Sequence, residues 1–370
     1  MIHFSRYIKK YSSLDKIIRF ILSAFFLITG IGNKFRGTYS SKLLVISLHK
    51  LGDTVFTVPA IKVLVKQFGK EVFVVCFEDS RKIYELAFGN LNYLILNKED
   101  FSFHGRLANS SARKKIKNIN AGTIVDLTGE IISVSLIFNS YAKKIIGFDN
   151  LYFRKIYTDF ISKRSTPHLM DLYLDVVKLF VKTDNENEVK YFRKSIDYSG
   201  YILIHPFAGW KSKEWDFHKF INLCLLISDF HKCKLVIPKE TLNEDILNLV
   251  KTKNISILIT ETINELIEAI KGAFIVIGCD SGTVYIASLL GKPTFTIYGP
   301  TNPRFSLPFG KHHDYIYKET IYSPKYDEQY GYGLAGYFTP SIDFMSSLSV
   351  DEVFGKILKF IDNLNHQQMT

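Results

Sequence analysis

The sequence predicts an α/β protein built from two doubly wound sheets that face each other across a cleft. Three observations predict this fold class. Short apolar runs alternate with stretches of helical spacing from residue 41 onwards, a polar stretch interrupts this alternation after residue 183, and the alternation restarts at Tyr201. A chain of 370 residues also has room for two domains of ~100–200 residues each.

The first half of the chain opens on a buried strand. Residues 42–48 form a continuous apolar run that ends near a glycine, as expected of a parallel strand covered on both faces. Residues 53–68 and 168–181 have helical spacing, and residues 155–163 are predicted to be a loop. The other predicted strands of this half are 72–77, 93–96, 122–127 and 144–147.

The second half repeats this alternation, starting with an apolar strand at 201–205. Its further predicted strands are 234–238, 256–258, 274–277 and 294–298. Its predicted helices are 217–230, 243–250, 263–270, 283–290 and a last helix at 350–364. Residues 302–347 are aromatic and irregular.

The predicted organisation therefore has five parts. They are a basic, apolar N-terminal segment at 1–40, a first domain at 41–183, a linker at 184–199, a second domain at 200–348 and a C-terminal helix at 349–370. In doubly wound folds, ligands bind beyond the carboxyl ends of the strands. We therefore expect a site in the loops after residues 48, 205, 238 and 277.

Composition narrows the class of protein. The chain is 47% hydrophobic and 22% charged, which excludes a largely disordered or collagen-like protein. The four cysteines are dispersed and form no CxxC or Cys/His cluster, so neither a disulfide scaffold nor a zinc site is predicted, and a reducing cytoplasm fits. No metal and no cofactor are expected.

The N-terminal segment carries much of the positive charge. The chain has a formal net charge of +11, and residues 1–40 hold seven basic residues against the single acid Asp15. Such a patch suits nucleic acid or an anionic membrane, and the lack of an RNP, C2H2 or basic-zipper signature favours the membrane. Residues 17–28 are apolar, but they are shorter than the ~20 residues of a spanning helix and are interrupted by Arg19. We expect a helix in the membrane interface; a helix packed on the protein's own surface is the alternative.

The first motif follows the first predicted strand, where Gly52 turns the chain and Asp53 and Thr54 open a helix. An aspartate at this place is either an ordinary helix cap or a carboxylate that takes a proton from an incoming hydroxyl. The spacing alone supports both interpretations equally.

The second motif, HPFAGWKSKEW, follows the strand at 201–205 and contains Gly209, two lysines and both tryptophans of the chain. A loop of this kind can present backbone N–H groups and the ammonium of Lys213 to a phosphate. A surface turn with solvated lysines is the alternative. His205 is interpreted as a structural histidine with satisfied hydrogen bonds.

The third motif, GCDSGTVYIA at 278–287, lies between a strand and a helix and is followed by GKPT and YGPT. Asp280, Ser281, Gly282 and Thr283 have the order of a phosphate-binding turn, in which free N–H groups and the positive end of a helix face an anion. The motif is neither a Walker A loop nor a GxGxxG fingerprint. A capped helix with a tight entry turn is the alternative.

In this order and at these separations, the three motifs resemble those of glycosyltransferase family 9, the ADP-heptose:lipopolysaccharide heptosyltransferases. The resemblance spans roughly residues 42–301, with a weaker similarity at 345–353. It implies a GT-B fold of two Rossmann-like domains, with the acceptor domain first and the nucleotide-sugar domain second. It also implies an inverting, metal-independent transfer and a C-terminal helix that crosses back to the first domain.

The resemblance also implies roles for individual residues. Asp53 matches the family's proposed catalytic base, Lys213 the lysine that contacts the donor diphosphate, and Asp280 the aspartate that contacts the donor sugar. The other implied donor-binding residues are Ser281, Gly282 and Thr283 in the turn, and either Glu240 or Glu244 after the strand at 234–238. The implied supporting loop residues are Gly52, Thr54, Gly209 and Tyr285.

Two departures from the family are visible. Tyr285 stands where the family usually has a histidine, and a tyrosine cannot carry an imidazolium charge, which bears on sugar specificity. Residues 320–344 contain tyrosines and none of the cysteines that many members have there.

The sequence therefore predicts a glycosyltransferase that moves a heptose or a related sugar from a nucleotide-diphosphate donor, with ADP-heptose favoured, to a lipopolysaccharide core or another lipid-linked saccharide. The expected partners are this donor, this acceptor and an anionic membrane surface, and no nucleic acid. The expected location is the cytoplasmic face of the bacterial inner membrane. A GT-B enzyme of other sugar specificity and a non-catalytic, membrane-associated sugar-binding protein are the alternatives.

Overall fold

The computed structural model describes residues 24, 39–102, 107–149, 153–162, 168–182, 199–308, 310, 312–319 and 345–369. The chain divides into two compact units, Met1–Val189 and Lys190–Thr370. The N-terminal segment predicted at 1–40 and the linker predicted at 184–199 lie outside the described residues, except for Ala24, Tyr39, Ser40 and Ser199. The predicted domain boundaries therefore stay predictions.

The first unit is built on a parallel sheet. Its described strands are β1 (Leu43–Ile46), β2 (Val72–Cys76), β3 (Asn92–Ile95), β4 (Phe101–Ser102), β5 (Leu107–Ala108), β6 (Thr123–Asp126), β7 (Lys144–Phe148) and β8 (Asp159–Ile161). Six of them pair in parallel in the order β3-β2-β1-β6-β7-β8, while β4 and β5 form a short antiparallel pair. All four residues of β1 are buried at the centre of this sheet, as its continuous apolar run predicts.

The described helices of the first unit are α1 (Leu51–Phe68), α2 (Glu78–Phe88), α3 (Ser110–Ile119), α4 (Ile131–Ile137) and α5 (Leu169–Lys178). The long helix α1 packs against α2 and α5. Only four residues separate it from the end of β1, so its amino end lies at the carboxyl edge of the sheet. That edge is where a doubly wound fold places its site.

The predicted loop at 155–163 is wrong in part. Residues Arg154–Ile156 form a 3-10 turn, and Asp159–Ile161 form β8, which pairs with β7 at the edge of the sheet. Only three residues long, with none of them buried, this edge strand lacks the apolar run by which the inner strands were recognised.

The second unit repeats the sheet order of the first. Its described strands are β9 (Tyr201–His205), β10 (Cys233–Pro238), β11 (Ile257–Thr260), β12 (Ala273–Cys279), β13 (Thr294–Tyr298) and β14 (His313–Tyr317). They pair in parallel in the order β11-β10-β9-β12-β13-β14. Two doubly wound sheets with the same strand order confirm the predicted fold class of two Rossmann-like domains.

The described helices of the second unit are α6 (Phe217–Ser228), α7 (Glu244–Thr252), α8 (Ile263–Lys271), α9 (Gly282–Leu289), α10 (Pro303–Ser306) and α11 (Val350–Met369). The sequence predicted residues 302–347 to be irregular, and α10 and β14 correct this. Like β8, β14 is a half-buried edge strand, and its sequence HDYIY starts with two polar residues. The remainder of that stretch, 320–344, lies outside the described residues.

The predicted C-terminal helix is present as α11. Its buried side chains join the core of the second unit, and it packs against α6 and β14. Lys318 of the second unit also forms an ion pair with Glu352 in the first turn of this helix, at 2.7 Å. That the helix crosses back to the first domain stays a prediction.

Among the described residues, no helix has both the length and the apolar character needed to cross a membrane. Residues 17–28, for which an interfacial helix was predicted, lie outside the described residues except for Ala24, which is exposed and helical.

Candidate active site

The Asp280 carboxylate lies at the carboxyl edge of the second sheet and accepts hydrogen bonds from three side chains. Asp280 follows the last residue of β12 and is only 3% exposed. Its Oδ2 atom accepts a 2.6 Å hydrogen bond from the ammonium of Lys213 and a second one from the Thr301 hydroxyl. Its Oδ1 atom accepts a hydrogen bond from the Tyr285 hydroxyl. Three elements therefore converge on one carboxylate.

The electrostatics of this cluster keep Asp280 ionised. Burial by itself raises the pKa of a carboxyl group, because it removes the charged form from water. The charge of Lys213 and the hydrogen bonds from Lys213, Thr301 and Tyr285 outweigh burial and hold the pKa of Asp280 below its usual value. The cluster is thus a buried ion pair at neutral pH.

Lys213 reaches Asp280 because its loop is fixed to β12 by Trp215. The Trp215 backbone N–H donates to the sulfur of Cys279 at 3.3 Å, and its indole N–H donates to the Leu348 carbonyl at 3.2 Å. Lys213 itself ends a 3-10 turn, and its ammonium lies 4.6 Å from the centroid of the Trp210 ring. Its side chain is 16% exposed, so the ammonium keeps access to a ligand at the sheet edge.

The turn after Asp280 has the features of an anion site. Ser281 is the N-cap of α9, yet its hydroxyl makes no capping bond and, among the described residues, has no hydrogen-bond partner although it is buried. The first N–H groups of a helix have no partner within the helix, and the helix dipole adds positive potential there. Gly282 and Thr283 open α9, and Thr283 is buried. This turn and Lys213 together can hold a diphosphate.

The two glutamates proposed for donor binding lie beyond β10. Glu240 is in a 3-10 turn that directly follows the strand, and Glu244 is the first residue of α7. Both are exposed. Their positions at the carboxyl edge are compatible with either one reaching a donor, so the alternative stays open.

The remaining predicted residues of the second motif have different environments. Gly209 has open space where a side chain would start, so the loop leaves room at this point. His205, the last residue of β9, is buried, and burial lowers its pKa to about 4. The imidazole is therefore neutral at pH 7. Its Nδ1 atom is buried and has no hydrogen-bond partner among the described residues, so the prediction of satisfied hydrogen bonds is wrong for this atom.

In the first unit, Asp53 is the third residue of α1 and is exposed at the carboxyl edge of the sheet. The N-cap of this helix is Lys50, so Asp53 does not occupy the cap position that the ordinary interpretation gave it. Burial raises the pKa of Tyr173 well above its usual value, and the negative charges of Asp53 and Glu130 raise it further.

The loop that presents Asp53 is tied down by buried hydroxyl groups. Thr54 donates to the Lys50 carbonyl at 2.9 Å and shares a 2.9 Å hydrogen bond with Ser80. Ser80 in turn donates to the His49 carbonyl at 3.1 Å. Thr54, predicted as a supporting residue, thus holds the start of α1, where Gly52 forms part of the first turn.

Sequence reasoning missed two residues at these edges. Thr301 lies in the YGPT sequence, but its bond to Asp280 depends on β12 and β13 being neighbours. Asp126, the last residue of β6, is fully buried and was counted only as part of a strand. The signal that could have found both is the position of a polar residue at the carboxyl end of a central strand.

No group of three or more His, Cys, Asp or Glu side chains in the described part of the chain is arranged to hold a metal ion. A cavity of about 640 Å³ lies at the opposite, amino edge of the first sheet, where Gly122 and Lys143 contribute to its lining. It is separate from the residues described above.

Comparison with known proteins gives a consistent result. The model of glycosyltransferase family 9 (heptosyltransferase) matches residues 110–333. A lipopolysaccharide heptosyltransferase 1 from Campylobacter coli is 24% identical over 296 residues, which cover 70% of this chain and 84% of the relative.

Solved structures share the fold. Escherichia coli heptosyltransferase WaaC with ADP matches with a TM-score of 0.66 and 16% identity, over 86% of this chain and 99% of the other. A family 9 glycosyltransferase from Veillonella parvula matches with a TM-score of 0.69 and 17% identity, over 88% and 98%. E. coli ADP-heptose lipopolysaccharide heptosyltransferase II matches with a TM-score of 0.64 and 13% identity, over 88% and 99%.

Proposed function

The chain belongs to glycosyltransferase family 9, the heptosyltransferase family, and we propose that it transfers a heptose from ADP-heptose to a lipopolysaccharide core with inversion at the anomeric carbon. That the protein is a glycosyltransferase follows from the family; the donor, the acceptor and the stereochemistry are our proposal. The observation that supports it most directly is the buried Lys213–Asp280 pair beside the free amino end of α9.

The second unit is proposed to bind the donor. The amino end of α9 and the Lys213 ammonium supply positive charge for the diphosphate, whose negative charge increases as the bond to the sugar breaks. Asp280 accepts hydrogen bonds, so it is suited to the hydroxyl groups of the donor sugar. Because Thr301 and Tyr285 also donate to Asp280, the carboxylate stays oriented if Lys213 turns toward a phosphate.

The first unit is proposed to supply the base. An exposed carboxylate at the start of α1 can accept the proton of the acceptor hydroxyl as that oxygen attacks the anomeric carbon from the face opposite the diphosphate. The proton goes to Asp53, the new bond joins the acceptor oxygen to the sugar, and the electron pair of the broken bond leaves with the nucleoside diphosphate.

We propose that no metal ion is required. In other enzymes, a divalent cation stabilises the negative charge of the leaving diphosphate. Here the ammonium of Lys213 and the helix amino end together provide positive charge at the same place. Transfer that persists in excess EDTA supports this, and loss of transfer that is restored by added Mg²⁺ or Mn²⁺ contradicts it.

The choice of donor and acceptor rests on what the similar proteins are named to act on. One matched structure is described with ADP and another with ADP-2-deoxy-2-fluoro heptose, and the curated relative is a lipopolysaccharide heptosyltransferase. We further propose that the basic segment at 1–40 holds the enzyme at the cytoplasmic face of the inner membrane, where a lipid-linked acceptor is made.

A different donor sugar is the second candidate, and Tyr285 is the observation that favours it. Its hydroxyl donates to the carboxylate that is proposed to meet the sugar, so a change at this position alters the hydrogen bonds available to the sugar.

A panel of ADP-, GDP-, UDP- and dTDP-linked sugars separates these candidates. A donor that binds the folded state alone stabilises it by mass action, so its cognate nucleotide sugar should raise the melting temperature most. We expect ADP-heptose to give the largest shift and to be consumed when an acceptor is added. A larger shift and turnover with another nucleotide sugar would show that the fold is shared and the donor is different.

A further inference from the structure

We propose that Thr128, held in place by the buried carboxylate of Asp126, is a positioning residue for the loop that carries Asp53. This inference rests on the proposed role of Asp53 as the base. It concerns the first unit, where neither residue was assigned a function from the sequence.

The chain leaves β1 beside the end of β6. This strand pairs with β6, with Ile46 opposite Asp126. One step further, the backbone N–H of Leu127 donates to the Ile46 carbonyl at 3.0 Å, which ends the regular pairing. The next N–H on the β1 side that needs a partner is that of Leu48, since Leu48 is only 7% exposed.

The side chain of Thr128 provides that partner. Its hydroxyl accepts a 2.9 Å hydrogen bond from the Leu48 N–H and lies 3.5 Å from the Ile46 carbonyl, to which it donates. A side chain thus extends the pairing of the two strands beyond their last backbone bond. Leu48 lies in the loop that leads from β1 to the first turn of α1, where Asp53 lies.

Asp126 fixes the backbone from which this hydroxyl extends. Its Oδ1 atom accepts the N–H groups of Thr128 at 2.9 Å and Gly129 at 3.0 Å. Its Oδ2 atom accepts the hydroxyls of Ser133 and Tyr157, both at 2.8 Å. A fully buried carboxylate with four donors allows the turn after β6 little freedom.

The turn is restricted further at Gly129. This glycine has a φ of +62°, and a side-chain carbon placed on it would lie 2.7 Å from the ring of Phe148. Thr128 is therefore held between the carboxylate of Asp126 and a glycine that cannot be replaced without strain.

The loop is held from its other side by Ser80, which donates to the His49 carbonyl. Consecutive residues, Leu48 and His49, are thus fixed by groups from two different elements. Without the Thr128 bond, the Leu48 N–H loses the hydrogen bond that ties it to the turn after β6. A displacement of about 1 Å at a reacting group can cost about 100-fold in rate, so a small shift of the loop is sufficient to affect transfer.

The test compares Thr128→Val, which removes the hydroxyl at nearly constant shape, with Thr128→Ser, which retains it. We expect Thr128→Val to lower kcat by about 10- to 100-fold, with the dissociation constant for ADP-heptose within about twofold of wild type, because the donor-binding groups are in the other unit. Thr128→Ser should recover most of the activity. Asp126→Asn retains one oxygen for the Thr128 N–H, so we expect a smaller loss of kcat.

Hydrogen–deuterium exchange provides a readout that does not require turnover. Backbone amides at 48–53 should exchange faster in Thr128→Val than in wild type, and Thr128→Ser should restore the protection, while residues 273–289 stay unchanged. If Thr128→Val does not fold, the exchange of the amides at 48–53 is compared between Asp126→Asn and wild type.

Three results would overturn the inference. They are unchanged exchange at 48–53 in a folded Thr128→Val protein, an equal loss of kcat in Thr128→Ser, and a loss confined to donor affinity. If the wild-type protein shows no transfer from any donor, the proposed function fails, and the exchange data still decide whether Thr128 positions the loop.

Discussion

The two units place a buried aspartate at nearly the same point of the same fold and give it opposite surroundings. Asp126 ends β6 and Asp280 follows β12, and each of these strands is the neighbour of its unit's central first strand. Asp126 receives only neutral donors, and burial raises its pKa. Asp280 receives an ammonium as well, and its pKa is lowered despite burial.

We interpret this difference as one between a structural aspartate, Asp126, and an aspartate of the proposed binding site, Asp280. A carboxylate satisfied entirely by backbone and hydroxyl groups holds a turn in shape and offers nothing to a ligand. A carboxylate paired with a partly exposed lysine beside a free helix end has groups that can rearrange around an anion. In the first unit, the carboxylate that we propose as the base is instead the exposed Asp53.

The largest effect is expected for Asp53→Asn. A general base typically contributes ~10²–10⁴ in rate, so transfer should fall by that factor. The affinity for ADP-heptose should stay near wild type, because we propose that the second unit binds the donor. Steady-state kinetics measures the loss of transfer, and calorimetry measures the affinity for ADP-heptose. Asp53→Asn with near-normal kcat would mean that Asp53 only stabilises the start of α1.

The next largest effect is expected for Lys213→Ala. A hydrogen bond from a charged group is worth about 1.5–3 kcal/mol, which corresponds to about 10- to 100-fold in donor affinity. Lys211→Ala is the matched control, since Lys211 lies in the same 3-10 turn, and its exposed ammonium pairs with Glu214. Calorimetry that finds equal donor affinity in both variants would place Lys213 outside the donor site.

The sequence predicts the inner strands of the two sheets better than their edge strands. The inner strands β9 and β13 were predicted with the bounds they have, because a strand buried on both faces is a continuous apolar run. The edge strands β8 and β14 were missed because their half-buried residues carry no such signal. Hydrogen bonds between distant segments, such as that of Thr301 with Asp280, depend on strand order, which local spacing does not contain.

The different roles of the two tryptophans in the second motif also could not be predicted from local sequence. The loop contains both tryptophans of the chain. The sequence does not show that Trp215 is the buried anchor and that Trp210 is the residue that contacts Lys213. The distinction arises because the Trp215 N–H meets Cys279 of β12 and its indole meets the Leu348 carbonyl, far along the chain.

Stability as a function of pH sharpens the comparison of the two aspartates. The lowered pKa of Asp280 means that its ionised form stabilises the fold above the usual aspartate pKa of about 3.9, and that this stability is lost as the pH falls through the lowered pKa. The raised pKa of Asp126 means that stability decreases as the pH rises from that usual value through the raised pKa.

Urea unfolding of Asp280→Asn and Asp126→Asn between about pH 4 and pH 8 tests this. At neutral pH, Asp280→Asn should lose about 3 kcal/mol, because removing one partner of a buried pair leaves the other charge uncompensated. Relative to wild type, Asp126→Asn should become more stable as the pH rises, whereas Asp280→Asn should become less stable or stay unchanged. If the stability of both variants relative to wild type changes with pH in the same direction, the two aspartates do not differ as described.

The smallest effect on the catalytic step is expected from removing residues 1–38. The first strand starts at Leu43, so the sheet should form without this segment, and transfer to a water-soluble acceptor fragment should be retained. Binding to anionic vesicles should weaken, by about 1 kcal/mol for each basic residue near the surface, and added salt should weaken the full-length protein's binding. Vesicle binding that is equal with and without the segment would show that it does not attach the enzyme to membranes.

The most direct test of the account is the structure of the product. Purified full-length protein is incubated with ADP-heptose and a lipopolysaccharide core acceptor that lacks the terminal heptose, and the product is analysed by mass spectrometry and by NMR of the anomeric centre. We expect one added heptose, with an anomeric configuration opposite to that of the donor. Addition of a different sugar, or retention of the donor's configuration, would contradict it.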